Sequence, residues 1–118
     1  MNIETLDALW KNRHQSADLH DLTRLLEAYS RETDDQGVRY EVDWRRARLW
    51  HFTAMGHLEN DEPRSARRQF ELGTDASQWT VAQEGAAGRF WWAVNFLEAG
   101  RLGGKWSAYW ALHGAKPQ

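Results

Sequence analysis

The densest grouping of metal-ligating side chains in the chain is Asp18-x-His20-Asp21, with His14 just upstream. Imidazole and carboxylate are zinc-type ligands, but they must converge on one ion. On a helix, residues 18 and 20 diverge by about 200 degrees, so this spacing predicts no metal centre. His51 falls on the apolar face of a helix, where a core or boundary histidine bonded to a neighbour is expected rather than a general base. Ser30, Ser65, Ser77 and Ser107 stand in no G-x-S-x-G setting, which leaves no nucleophile elbow. The run from Gly100 to Lys105, GRLGGK, has glycine and lysine without the spacing or the preceding strand of a phosphate loop. There is no cysteine, which excludes disulfides, thiolate metal sites and a thiol nucleophile. These residues predict a protein that is not an enzyme and uses no cofactor or metal.

Binding chemistry is better represented. The net charge of -2 gives no global field attractive to phosphate backbones or anionic lipid, so neither nucleic acid nor a membrane is an expected partner. The basic string RSARRQ, residues 64 to 69, is flanked by acids at 59, 61, 62 and 71 and reads as a short basic face. Eight Trp occupy 118 residues, and each carries an N–H that needs a partner, so some must lie at a boundary or in a groove. The N-terminal MNIETLDALWKNRH carries acids early and lacks the basic-then-apolar order of a secretory signal. No stretch approaches the roughly 18 consecutive apolar residues of a membrane span, and a cytoplasmic protein is expected.

The elements that must position these side chains are helices. Scarce proline with abundant Ala, Leu, Arg and Glu favours them, and no period-2 stretch argues for a strand. Ile3, Leu6, Leu9 and Trp10 predict a helix near 2–13. The stripe of Leu19, Leu22, Leu25, Leu26 and Tyr29 predicts a second near 17–33. Tyr40, Trp44, Ala47, His51, Ala54, Met55 and Leu58 share one face of a third near 38–58. Pro63 suits the first turn of a fourth near 63–77, and a fifth near 84–100 stops at glycine. Trp106, Tyr109, Trp110 and His113 predict a closing helix near 105–114. The expectation is one all-α domain of about six helices in antiparallel hairpins, with Trp44, Trp50, Phe70, Phe90 and Trp92 in its core.

A weak internal repeat lays YEVDWRRARLW over AAGRFWWAVNF, with Trp44 above Phe90 and Ala47 above Ala93, 46 residues apart. Trp44-x-x-Ala47-Arg48 followed by Ala66-x-x-x-Phe70-x-x-Gly73 resembles the core pattern of the tetratricopeptide repeat, in which small residues let paired helices approach while an aromatic fills the gap. More specifically, residues 18 to 100 are similar to the tetratricopeptide-like T-component proteins associated with TRAP transporters, and to regulators of microtubule dynamics. No cysteine is present to carry the lipid of a periplasmic T-component. The resemblance implies a short right-handed superhelix whose concave face is lined by Val42, Arg45, Leu49 and Phe52 from one copy and by Gly88, Trp91, Asn95 and Glu98 from the other.

Residues 88 to 96, GRFWWAVNF, bear on the same face. With Phe90 at the origin of a helical wheel, Ala93, Val94, Leu97, Phe96 and Trp92 form a broad apolar arc, leaving Trp91, Asn95 and Glu98 together at i, i+4 and i+7. Trp92 is then the expected core residue and Trp91 the expected groove residue. One cation, one anion, an amide and large apolar side chains suit a peptide segment or a small organic ligand. The expected function is a non-catalytic helical-repeat module that binds a protein, a peptide or a small ligand. The alternative is a structural domain whose aromatic faces form a homodimer.

Overall fold

The computed structural model describes residues 2–103, and these are all-helical. Five α-helices, α1 (Ile3–Lys11), α2 (Ser16–Glu32), α3 (Gln36–Glu59), α4 (Pro63–Ser77) and α5 (Ala86–Arg101), follow one another, with a 3-10 turn at Gln78–Ala82 between the last two. The closing helix expected near 105–114 lies outside the described residues. Each observed helix falls within about three residues of its expected bounds; the 3-10 turn has no counterpart in the sequence expectation and delays the start of α5.

Local chemistry sets the ends. The Asn2 side chain accepts from Thr5 N at 3.2 Å and that of Asp35 from Val38 N at 3.0 Å, each satisfying an otherwise orphaned amide of a first turn. Pro63 occupies the first turn of α4, where its missing N–H costs nothing. The end of α3 is a Schellman turn: Glu62 N donates to His57 O at 2.8 Å and Asp61 N to Leu58 O at 3.1 Å, with Asp61 at φ 58°. His57 then bridges to α4, its Nδ1 2.9 Å from Glu62 Oε1 and its Nε2 3.0 Å from the Gln69 amide.

Helix α3 is the centre of the molecule and is covered on two sides. Val42 and Leu49 pack with Leu6 of α1 and with Leu22 and Leu26 of α2. On its other side, Ala54 packs with Ala66 and Phe70 of α4 and Ala99 of α5. A buried carboxylate, Asp43, joins three elements: it accepts from Ser30 Oγ of α2 at 2.8 Å, from Arg46 at 3.1 Å and from Trp79 Nε1 of the 3-10 turn at 2.7 Å. Such a charge is tolerated in the interior because its acceptor capacity is filled.

The orientation of α5 reverses the expected one. Its buried residues are Gly88, Asn95, Ala99 and Gly100, whereas Phe90 is 55% and Leu97 58% exposed. Close approach is the reason. A methyl on Gly88 would stand 2.4 Å from Thr80 Oγ1, and one on Gly73 of α4 would stand 2.6 Å from the Asn95 amide nitrogen, so the helices meet through small residues and the large apolar ones turn outward. Phe90 is therefore not core, and Trp44, Trp50 and Trp92 are only half-buried; of the five expected core aromatics, Phe70 alone is fully enclosed. Trp92 stacks on Phe96 and donates to Gln78, while Trp91 lies edge-on against His51. Neither tryptophan is a closed core residue.

Candidate functional site

Between α1 and α3, arginine and aromatic side chains alternate in a column. Arg45 lies 4.1 Å from the centroid of Trp44, and Arg48 lies 5.1 Å from Trp44 and 3.9 Å from Trp10. Arg13 follows, 4.2 Å from Trp10 and 5.2 Å from Phe52, whose ring meets His14 edge-on. The planar guanidinium stacks on an indole face while presenting its donors at the rim, a role lysine does not fill. Along α3 the contributors recur at Trp44, Arg48 and Phe52, one turn apart; α1 and the turn after it supply Trp10, Arg13 and His14.

Charge is unevenly compensated along this column. Arg45, at the closed end, bonds Asp7 Oδ1 at 3.0 Å, Glu41 Oε2 at 2.7 Å and the Glu41 carbonyl at 2.8 Å. The same Glu41 oxygen takes the Trp44 N–H at 3.1 Å. Both nearby carboxylates are thus engaged by Arg45. Arg48 has only a 3.8 Å approach to Asp7, and its Nε is buried without a hydrogen-bond partner. Arg13 donates to the Trp10 carbonyl at 3.0 Å, makes no ion pair among the described residues, and also has a buried, unpartnered Nε. Burial pushes the Arg48 guanidinium down to about 10, with repulsion from Arg45 and Arg13 adding to the effect and Asp7 opposing it. Arg48 stays charged at neutral pH, in surroundings short of negative charge.

The column opens onto a recess of about 450 Å³ between the α1–α2 turn and the last turns of α3. Phe52 and His14 belong to both; Leu19, Met55, Gly56 and His57 complete most of the wall. Gly56 leaves open space at the position a side chain would take.

The seven residues expected to line one groove do not come together. Val42 and Leu49 are buried in the α1–α2–α3 core, Arg45 closes the column, and Phe52 walls the recess. Trp91, Asn95 and Glu98 lie on the opposite side of α3. Asn95 is fully buried, donating to the carbonyls of Ala47 at 3.0 Å and Trp91 at 2.9 Å, while its Oδ1 has no partner. Glu98 pairs with Arg101. His51 packs against Phe70 and Trp91, and burial lowers its pKa below 6.5 against a raising influence of Glu98. The first row thus faces α1 and α2, whereas Trp91 and Asn95 meet α3 at His51 and Ala47. Sequence reasoning missed Trp10, Arg13 and Arg48. Their signal was an arginine one turn after a tryptophan, in Trp10-x-x-Arg13 and in Trp44-x-x-x-Arg48.

Among the described residues no group of three His, Asp or Glu side chains is placed to hold a metal ion, and no helix is long and apolar enough to cross a membrane. No family model matches the chain, and no curated protein or solved structure matches it.

Proposed function

We propose that the chain is a non-catalytic binding module of the tetratricopeptide-like kind, a short right-handed run of antiparallel helical hairpins, and that it engages a peptide segment or a small organic ligand at the recess beside Phe52. One observation carries this: an arginine–aromatic column with uncompensated charge ends at a 450 Å³ recess that has polar and apolar walls. The hairpin reading draws support from Ala47, Ala66, Phe70 and Gly73, four of the six positions of the repeat pattern, which are buried; Trp44 and Arg48 are half-buried. The resemblance to transporter-associated T-components bears on architecture and not on a transport role.

Gly56→Leu tests the reading, since Gly56 lines the recess and a Cβ there meets no atom within 4 Å. Titration of isotope-labelled protein with a panel of short peptides and organic fragments should move the amide resonances of Leu19, Thr53 and His57, and Gly56→Leu should abolish the shifts while remaining folded. Shifts confined to other surfaces, or none across the panel, would refute it.

A second reading, homodimerisation, has its own observation in the outer face of α5, where Phe90 and Leu97 are more than half exposed with Ala93 and Val94 between them. Sedimentation equilibrium of the protein and of Leu97→Glu separates the two: a dimer abolished by the substitution would favour this second use of the fold.

A further inference from the structure

We infer that the ligand of the recess carries an oxyanion, seated between Arg13 and Arg48 at the rim of Trp10, with an apolar stem lying against Phe52 and Met55. This rests on the recess being a binding site and adds the chemical class of what enters it. The column holds three guanidinium groups, and the carboxylates that face them, Asp7 and Glu41, are both bonded to Arg45. Arg13 and Arg48 at its open half have no carboxylate hydrogen-bonded to them, while Asp7 stands 3.8 Å from Arg48 and Glu59 lies in the wall of the recess. Two Nε donors, on Arg13 and Arg48, are buried with no acceptor. An unpaired buried donor is costly, and a partly buried cation short of counter-charge more so, whereas an incoming oxyanion would answer both. The Arg48 side chain retains 15% exposure, at atoms other than its buried Nε. Trp10 holds both guanidinium groups within stacking distance, 3.9 Å and 4.2 Å from its centroid, which fixes them before the anion arrives. The stem is assigned from continuity: Phe52 is at once the last ring of the column and a wall of the recess. The class is therefore a small amphiphilic organic acid or the free terminus of a peptide that presents the same two groups.

The test compares 3-phenylpropanoate, its uncharged amide, inorganic phosphate and an N-acetylated tripeptide ending in a free Phe carboxylate, read by the Arg Nε–H resonances of the intact protein. The acid should bind and the amide should bind about 10-fold more weakly or not at all, because one charge-assisted hydrogen bond is worth at least that factor. Arg13→Gln and Arg48→Met should each weaken the acid to the level of the amide. The melting temperature of Arg48→Met should be unchanged or raised, since an under-compensated cation is removed. Tighter binding of the tripeptide than of the free acid would assign the oxyanion to a peptide terminus. Equal binding of acid and amide, both blocked by Gly56→Leu, would overturn the oxyanion while the recess reading stands. Phosphate binding as well as the acid, unaffected by Gly56→Leu, would overturn the stem. Binding of none of the four would overturn both readings, and a large loss of stability in Arg48→Met would make Arg48 structural.

Discussion

Replacing Gly73 by alanine in α4 sets two effects of known size against each other. Helix propensity favours the change by about 0.8–1.0 kcal/mol, as for any glycine inside a helix. Packing opposes it, because the new methyl would lie 2.6 Å from Nδ2 and 2.9 Å from Oδ1 of Asn95, a side chain with no room to retreat since it is fully buried between α3, α4 and α5. Forcing a methyl into a filled core costs about 1–3 kcal/mol. Displacing the Asn95 amide also sacrifices its bonds to the Ala47 and Trp91 carbonyls, each worth about 1 kcal/mol. The sum predicts a destabilisation of about 2–4 kcal/mol. Asn95→Ala alone loses the same bonds, but both carbonyls lie within helices and keep their regular amide partners, and an unpaired Oδ1 disappears. Its cost is expected at about 1–2 kcal/mol. In the double variant the methyl added at position 73 enters the space that Asn95 vacates, so the double variant should be less destabilised than Gly73→Ala alone and the two changes strongly non-additive. Urea unfolding followed by helical circular dichroism, with an unchanged slope, measures all four corners of the cycle. Stabilisation of Gly73→Ala by the full propensity gain, together with additivity in the double variant, would refute the wedge described for Asn95.

Phe70→Ala should cost about 3–5 kcal/mol whereas Leu97→Ala should stay within about 0.5 kcal/mol, a contrast in thermal unfolding that checks which face of α5 is turned outward. Burial lowers the His51 pKa below 6.5, so the unfolded chain takes the proton first; stability is full above about pH 6.5, declines as pH falls through that value and levels off below the folded-state pKa, and His51→Gln should flatten this part of the profile. Asp61 holds φ 58° at the end of α3, so Asp61→Gly should stabilise by about 1 kcal/mol, and a loss of stability would mean that its side chain matters more than its backbone. Tyr40→Phe removes the hydroxyl that accepts from Gly88 N at 3.1 Å at the start of α5 and should cost about 1 kcal/mol by denaturant titration.

The sequence alone determined the helices: apolar spacing, Pro63 at the start of α4 and glycine after α5 give their existence and, to within a turn, their ends, because these signals act over a few neighbouring residues. It also singled out Arg45 and Phe52 as members of a polar–apolar surface, and both belong to the column or its recess. It did not determine which way α5 faces. That helix is apolar around most of its circumference, so periodicity gives no direction, and the choice fell to Gly73, Gly88 and Ala99, whose small size permits close approach on one side only. Asn95 was legible as a polar residue but not as a buried one, since its acceptors are carbonyls of Ala47, 48 residues away, and of its own helix. The column itself depends on how α1 is held beside α3, through the core shared by Leu6, Val42 and Leu49 and through Arg45 reaching Asp7 across 38 residues. Such contacts between distant elements leave no periodic trace in either, and only the packed tertiary structure brings Arg13 and Arg48 to the same tryptophan.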